Sequence, residues 1–198
     1  MGEPLAHDVF PRVIETARLR LRQPRPDENV LCGQLLAEAE AVSNREPPLS
    51  QQQADSFGFF MVEHWQRYGF GFLLIEPHGA SAAIGHCGFK YVDAFPGHWP
   101  QILGAIELGY ALVPAARGYG YATEASKGVL AAAFSAFPIA SIQGRCNPTN
   151  LASAAVLLSC GMTELETGTQ RRFVLARRGY ASSHFAKEIS DQDAGSTH

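Results

Sequence analysis

The stretch AARGYGYATEA, residues 115–125, sets two glycines and an arginine directly before a sequence that favours helix. Pro114 closes the preceding strand pattern, because proline has no N–H to donate to a β-ladder. Gly118 and Gly120 lack a Cβ, so the backbone can turn sharply there. The first turn of a helix adds unpaired N–H groups with about half a positive charge behind them. We therefore predict a cradle for a phosphate or pyrophosphate, completed by Arg117, with an ordinary turn as the alternative.

Two common nucleotide-binding motifs do not account for this cradle. The letters GYGYAT, residues 118–123, do not satisfy GxGxxG, and they follow the fourth predicted strand instead of the first strand of a βαβ unit. The chain also contains no GxxxxGKS or GxxxxGKT sequence, which excludes a P-loop. The cradle is therefore a different kind of anion site.

Hydrophobic periodicity around the cradle predicts an α+β fold with a central mixed sheet. Period-two patterns predict strands at 17–23, 70–76, 82–92, 103–113, 139–146, 162–167 and 171–178. Helical patterns predict a first helix with the apolar stripe Val30, Leu31, Leu35 and Leu36, and further helices at 54–68, about 119–137 and 150–161. Asp27 is the predicted N-cap of the first helix. Asn150 and Gly161 are the predicted N-cap and left-handed C-cap of the last.

Length and composition describe a globular protein. With 198 residues, 46% hydrophobic and 18% charged, the chain suits one domain, 1–198, with a core at about 15–178 and polar tails. The net charge of −3 gives no electrostatic pull toward nucleic acid. No apolar run approaches the ~20 residues that span a bilayer, so we expect a cytoplasmic protein without membrane contacts. Four scattered cysteines and seven histidines show no metal-ligand spacing, so we expect no metal site.

The cradle letters RGYGYA, residues 117–122, satisfy the Q/R-x-x-G-x-G/A signature through Arg117, Gly120 and Ala122. The chain thus resembles the GNAT N-acetyltransferase superfamily, and the neighbouring segments are similar to its RimJ/RimL-like branch. Those segments follow the family's order from about residue 15 to 176: ETARLRLRQPRPDE, GFGFLLIE, AIGHCGF, IELGYALVP, GYATEA and NPTNLASAAVLLSCGM. Each segment alone is weak, but the ordered set is specific.

The resemblance implies a GNAT fold, with a mixed sheet of about seven strands and four or so helices around it. It also implies that acetyl-CoA is the cosubstrate and that the cradle receives its pyrophosphate. The pantetheine arm would pair with the backbone of the fourth strand, which must splay from the fifth. The residues implied for binding are Leu112, Val113, Arg117, Gly118, Tyr119, Gly120, Tyr121, Ala122, Thr123 and Asn150.

Two side chains are candidates for catalysis. An amine must lose a proton before it attacks an acetyl group, and we predict Glu107, amid apolar residues of the fourth strand, as the base. The alternative is a carboxylate that faces solvent or pairs with an arginine. Many relatives protonate the CoA thiolate with a tyrosine at the position of Leu157. The resemblance to RimL-like proteins suggests Ser153 as the acid instead. The alternatives are that the Ser153 hydroxyl is bound to the backbone, or that water protonates the thiolate.

We therefore predict an N-acetyltransferase in which a primary amine attacks acetyl-CoA directly in a ternary complex. The RimJ/RimL-like resemblance favours a protein N-terminal α-amine as acceptor, and a small-molecule amine is the alternative. A second function class is a non-catalytic acyl-CoA-binding module, which keeps the cradle but lacks a competent base. The aromatic loop 91–101 is expected to border the acceptor. The oligomeric state stays open, a homodimer included.

Overall fold

The computed structural model describes residues 10–41, 49–80, 82–92, 94–96, 105–165 and 169–177. Its strands are β1 (Val13–Glu15), β2 (Leu19–Arg22), β3 (Phe72–Pro77), β4 (Gly85–Tyr91), β5 (Ile106–Leu112), β6 (Ser141–Cys146), β7 (Thr163–Glu164) and β8 (Arg171–Ala176). Its helices are α1 (Asn29–Glu40), α2 (Gln51–Tyr68), α3 (Tyr121–Ala136) and α4 (Leu151–Ser159), with a short 3-10 helix at Pro114–Ala116. Most of the predicted aromatic loop and all of the carboxyl-terminal tail from residue 181 lie outside the described residues.

The strands form one mixed sheet in the order β1-β2-β3-β4-β5-β6-β8-β7. The neighbours β5 and β6 run parallel, and the other neighbouring pairs are antiparallel. The predicted α+β class with a central mixed sheet is confirmed, with one strand more than the seven expected. The additional strand is β1, whose three residues are too few to establish a period-two pattern.

The parallel pair β5–β6 opens partway along its length. Glu107 pairs with Gln143 and Leu108 pairs with Gly144, and no later residue of β5 pairs with β6 within the described strands. In contrast, β4 pairs with β5 along the whole strand. The family resemblance implies this separation for the fourth and fifth predicted strands, which are β5 and β6. We call the resulting wedge the sheet gap.

Helices cover both faces of the sheet. Neighbouring residues of β4 point to opposite faces. The His86 ring lies 5.3 Å from the Phe57 ring of α2, whereas Cys87 Sγ lies 3.7 Å from Ser126 Oγ of α3. The α1 helix packs on α2, and α4 packs beside α3. Among the described helices, none combines the length and the apolar character that a bilayer crossing needs.

The start of α1 differs from its prediction. Asp27 is not the N-cap: Glu28 holds that position and makes no capping hydrogen bond. The Glu28 carboxylate pairs with Arg22 and Arg25 instead, because guanidinium donors form stronger, charge-assisted bonds than backbone N–H groups. Val30, which the predicted stripe places toward the core, is 58% exposed. Leu35 of the predicted stripe is buried, together with Cys32, Gly33 and Ala39, so the buried side of α1 only partly matches the predicted one.

The other helix ends agree better with the local sequence. Ser50 and Gln53 form a reciprocal capping box, which starts α2 slightly before the predicted residue 54. Asn150 caps α4 as predicted, since its side chain accepts a hydrogen bond from the Ser153 N–H. Gly161 follows α4 with a φ of 83°, the predicted left-handed conformation. These caps place α4 with its first turn at the sheet gap.

Candidate functional site

The glycine turn, residues 117–120, joins the 3-10 helix to α3. Gly118 and Gly120 have φ angles of 84° and 78°, a left-handed conformation that residues with a Cβ rarely adopt. A Cβ added at Gly118 would meet no described atom within 4 Å, and at Gly120 the nearest atom is Arg18 Nη2 at 3.5 Å. The glycines therefore serve the backbone conformation, and the space beside them is open to a ligand.

Consecutive backbone N–H groups from Gly118 into the start of α3 have no hydrogen-bond partner in the described part of the chain. Within the described residues, none from 118 to 123 donates a hydrogen bond, and the first bond of α3 runs from the Glu124 N–H to the Gly120 carbonyl. Gly120 is the N-cap and has no side chain to satisfy these donors. Such donors at a helix start attract an anion, helped by the helix dipole. The run fits a phosphate or pyrophosphate and comprises Gly118, Tyr119, Gly120, Tyr121, Ala122 and Thr123.

Two tyrosines stand beside this cradle. The rings of Tyr119 and Tyr121 stack with centroids 5.8 Å apart, and Tyr119 is 63% exposed. The Arg18 guanidinium lies 4.8 Å from the centroid of the Tyr121 ring, a cation–π contact. An open groove of about 250 Å³ runs alongside, lined by Ile84, Val113, Ala115, Ala116, Tyr119 and Tyr121. The cradle therefore opens onto a groove with an aromatic wall and a nearby cation.

The guanidinium of Arg117 does not complete the cradle, which corrects the sequence-based expectation. Its Nε donates to the Leu112 carbonyl at 3.1 Å, and its Nη2 donates to the Ala39 carbonyl in the last turn of α1. The last carbonyls of a helix lack partners inside the helix, and a guanidinium with five N–H donors satisfies them well. Arg117 therefore ties the glycine turn to β5 and α1.

Arg18 and Glu124 fix the cradle to the hairpin of β1 and β2. The Glu124 carboxylate accepts hydrogen bonds from Thr16 Oγ1 and from Arg18 Nε, each at 2.6 Å. Arg18 Nη1 also donates to the Tyr119 carbonyl at 2.9 Å. Burial raises the pKa of Glu124, but these hydrogen bonds outweigh burial and hold the pKa below its ordinary value. No local sequence pattern indicates this contact, because 106 residues separate Arg18 from Glu124.

The end of β5 has fewer open backbone groups than the sequence-based expectation assumes. The Val113 N–H donates to the Ile84 carbonyl, and the Val113 carbonyl accepts from the Ala116 N–H, each at 3.0 Å. Alternate residues of a strand direct their N–H groups to opposite neighbours, so those of Tyr110 and Leu112 face the sheet gap. Of the two residues predicted to pair with a ligand, Leu112 keeps its N–H on the gap side and Val113 does not.

A pair of hydroxyl groups connects β5 with α4. Tyr110 Oη lies 2.8 Å from Ser153 Oγ and donates to the Ser153 carbonyl at 2.9 Å. Burial raises the pKa of Tyr110 well above its ordinary value, so the phenol keeps its proton. Leu157, one turn further along α4, is buried and has no hydroxyl. The family resemblance points to Ser153, whereas nothing in the sequence singles out Tyr110.

The Glu107 carboxylate is paired with an arginine, the alternative that the sequence leaves open. Arg145 of β6 donates to Glu107 Oε2 through Nε at 2.9 Å and also through Nη2. Lys90 Nζ of β4 lies 3.5 Å from the same oxygen. The Glu107 side chain is 13% exposed and that of Arg145 is 31% exposed. The sequence alone does not reveal either cation, because strand register brings them beside Glu107.

A larger cavity, of about 580 Å³, lies away from the glycine turn. Charged residues dominate its wall, among them Arg20, Arg22, Arg25, Glu28 and Glu76. Arg22 pairs with Glu28 at 2.7 Å and with Glu76 at 2.8 Å, so much of this charge is balanced internally. The glycine turn and the sheet gap, where donors are unpaired, are therefore the better candidate for ligand binding.

Comparison with known proteins agrees with this geometry. The family described as acetyltransferase (GNAT) domain matches residues 18–163. An acetyltransferase from Agrobacterium tumefaciens shares the fold, with a TM-score of 0.70 and 21% identity over 89% of this chain and 100% of its own. No curated protein matches the sequence.

Two further solved structures with this fold contain ligands. RimL, a ribosomal L7/L12 alpha-N-protein acetyltransferase in complex with coenzyme A, has a TM-score of 0.62 and 17% identity, covering 83% of this chain and 97% of its own. The microcin C7 self immunity acetyltransferase MccE, in complex with acetyl-CoA and AMP, has a TM-score of 0.62 and 15% identity, covering 86% of this chain and 99% of its own. The family match spans well over half of the chain and includes both β5 and the glycine turn. This protein therefore belongs to the GNAT acetyltransferase family and is an acetyl-CoA-dependent N-acetyltransferase.

Proposed function

We propose that the protein transfers an acetyl group from acetyl-CoA to a primary amine, which attacks directly in a ternary complex. The observation that carries the proposal is the run of unpaired N–H groups at the glycine turn, beside the open end of the sheet gap. The turn offers an anion site, and the gap leads from it between β5 and β6. Together they suit a ligand with an anionic head and an extended arm that carries amides.

The gap-facing N–H groups of β5 are the proposed donors to this arm. Acetyl-CoA supplies the activated acetyl thioester. We assign the Leu112 N–H to an amide of the arm, as in β-strand addition. The Tyr110 N–H lies closer to the last β5–β6 pair, and we assign it to the thioester oxygen, where it would stabilise the negative charge that develops during attack.

Glu107 is the proposed base for the acceptor. An α-amino group has an ordinary pKa of ~8 and a lysine amine one of ~10.4, so either is largely protonated at neutral pH. Glu107 uses Oε2 for Arg145 and Lys90, and within the described residues its Oε1 accepts no hydrogen bond. This oxygen is therefore available to take a proton from the amine, directly or through a water molecule.

Ser153 and Tyr110 are proposed to assist the departing thiolate. Ser153 Oγ would donate a proton to the sulfur, because it lies in the first turn of α4 beside the gap. The Tyr110 phenol keeps its proton and donates it to the Ser153 carbonyl, so Oη accepts the hydrogen bond of the serine hydroxyl 2.8 Å away and holds that hydroxyl in place until its proton passes to the sulfur. The proton given up by Ser153 is replaced from solvent.

Thiol release from acetyl-CoA, scored with peptides, polyamines and amino acids, tests the proposal. RimL is described as an alpha-N-protein acetyltransferase and MccE as a microcin C7 self immunity acetyltransferase, so both N-terminal amines and small amines belong in the panel. We expect release with at least one acceptor class, and an N-acetyl product by mass spectrometry. Binding of coenzyme A without release for any acceptor would favour the alternative, a non-catalytic acyl-CoA-binding module.

Variants separate the proposed roles. Glu107→Gln should lower kcat by about 100-fold if Glu107 is the base, and Ser153→Ala should lower it by about 10-fold or more. Glu164→Gln is the matched control, because Glu164 also pairs with an arginine, Arg171, at the far edge of the sheet. If Glu107→Gln and Glu164→Gln behave alike with every acceptor, Glu107 is not the base.

A further inference from the structure

We propose that the acceptor amine carries a carboxylate, or an equivalent anion, a few bonds from its nitrogen, and that Arg145 binds this anion. The inference rests on the proposed function and adds the chemical class of the acceptor. It comes from the ion pair of Glu107 with Arg145, which we call the charge pair. The pair makes Arg145 a residue that determines specificity.

The charge pair lies at the closed end of the sheet gap. The last residue of β6 that pairs with β5 is Gly144, and Arg145 is the next residue along the strand. Glu107 lies opposite Lys90 of β4, and alternation along β4 puts Lys90 on the same face as His86. This is the face against which α2 packs through Phe57. An acceptor that reaches the gap from this face therefore meets the charge pair.

Each member of the charge pair keeps one polar atom for a ligand. The bonds between them join Nε and Nη2 of Arg145 to Oε2 of Glu107. In the described part of the chain, Glu107 Oε1 and Arg145 Nη1 form no hydrogen bond. Neither is among the buried unpaired polar atoms, so both are open to a ligand. An ammonium group suits the carboxylate oxygen, and a carboxylate suits the guanidinium nitrogen.

Charge balance explains why both groups belong on one acceptor. An ammonium bound to Glu107 joins the Arg145 guanidinium and the Lys90 ammonium, which leaves three cations beside one carboxylate. Solvent screens this repulsion only in part, because the Glu107 side chain is 13% exposed and that of Arg145 is 31% exposed. A carboxylate on the acceptor offsets the charge that the ammonium adds, by binding Arg145. Free amino acids and peptides that begin with aspartate or glutamate share this chemistry.

Matched acceptor pairs test the inference on the wild-type protein. Free amino acids are compared with their amides and with the decarboxylated amines, and peptides that begin with aspartate are compared with those that begin with asparagine. We expect kcat/KM to favour the carboxylate member by about 10-fold or more, the effect of one charge-assisted contact. A preference confined to free amino acids identifies a small-molecule acceptor, and one confined to peptides identifies a protein N-terminus.

Variants assign the preference to Arg145. Arg145→Gln should remove it, chiefly through a higher KM for the carboxylate acceptors, and Arg145→Lys should restore part of it. Arg171→Gln also breaks an arginine–glutamate pair, at the sheet edge, and should keep the full preference. Equal turnover of charged and uncharged members by the wild-type protein overturns the inference and leaves the proposed function standing. No transfer to any amine, with acetyl-CoA bound, overturns both.

Discussion

Gly118 and Gly120 have left-handed φ angles, although no described atom lies close enough to exclude a Cβ at either position. Gly79, in the turn between β3 and β4, has a similar φ of 80° and similarly empty surroundings. Only the first two adjoin unpaired backbone donors at a helix start. Residue conformation alone therefore does not mark a binding site, whereas conformation together with unpaired donors does.

Replacement of Gly120 tests the cradle. We expect Gly120→Val to weaken coenzyme A binding by about 10-fold or more, because a β-branched side chain disfavours the left-handed φ that exposes the N–H groups. Gly79→Val is the matched control: it carries a comparable conformational cost of about 1–2 kcal/mol but should leave binding unchanged. Titration calorimetry measures both. Full affinity in the Gly120 variant would contradict the assignment of these donors to the pyrophosphate.

At the scale of elements, α1 begins at an ion-pair network and not at a side-chain cap. Arg22 of β2 pairs with Glu28 at 2.7 Å and with Glu76 of β3 at 2.8 Å. The Arg22 hydrogen bond is the main cause that lowers the pKa of Glu28 below its ordinary value of 4.5, and it outweighs the opposing effect of burial. The network therefore links the start of α1 to two strands.

This pKa shift predicts the pH dependence of stability. A carboxylate with a lower pKa in the folded state stabilises the fold above its unfolded pKa, and the contribution is lost as the pH falls through the folded pKa. We expect Glu28→Gln to lower the free energy of unfolding by about 3 kcal/mol at pH 7, because it leaves Arg22 short of a partner in a largely buried site. The difference from the wild type should shrink below pH 4.5, the ordinary pKa.

Urea denaturation at pH 7 and at several values below 4.5 measures this effect. Glu15→Gln is the control, because Glu15 forms an exposed pair with Arg20 at 3.7 Å. That change should alter the free energy of unfolding by less than about 0.5 kcal/mol at any pH. A Glu28→Gln difference that stays constant with pH would contradict the network's role.

At the scale of the whole molecule, one sheet carries the core and also opens for the ligand. Antiparallel pairing across β4 and β5 keeps the sheet continuous on one side of the gap, while β6 pairs with β8 on the other. The open half of β5 leaves backbone donors without strand partners. A bound arm that carries amides would complete this hydrogen bonding, so binding and folding stability are coupled.

Thermal unfolding measures this coupling. At 100 times its Kd, acetyl-CoA should add about 2.7 kcal/mol to the free energy of unfolding and raise Tm accordingly. ADP, which would bind only at the cradle, should raise Tm less than acetyl-CoA does. Pantetheine, which would bind only in the sheet gap, should also raise Tm less. At the same ligand concentrations, Gly120→Val should reduce the shift from ADP but not that from pantetheine. An ADP shift that survives in this variant would place the diphosphate elsewhere.

Local chemistry in the sequence predicted the features that depend on neighbouring residues. The end of the strand at Pro114, the sharp turn at Gly120 and the Asn150 cap each depend on a few neighbouring residues, so the local sequence indicates them. Asp27 shows the limit of that reasoning. It is a good capping residue by local sequence, but the neighbouring Glu28, which pairs with two arginines, occupies the N-cap position. Contacts with distant residues also decide the position of Arg117, because its guanidinium donates to carbonyls of α1 and β5.

By itself, the amino-acid sequence determined the α+β class, the order of most elements and the glycine turn before α3, because periodicity and turn chemistry act over short distances. Tertiary structure alone decided which side chains surround the reaction: strand register set Arg145 beside Glu107, and the packing of α4 set Ser153 against Tyr110. Contacts between residues about 40 positions apart depend on the whole sheet, so no local pattern encodes them.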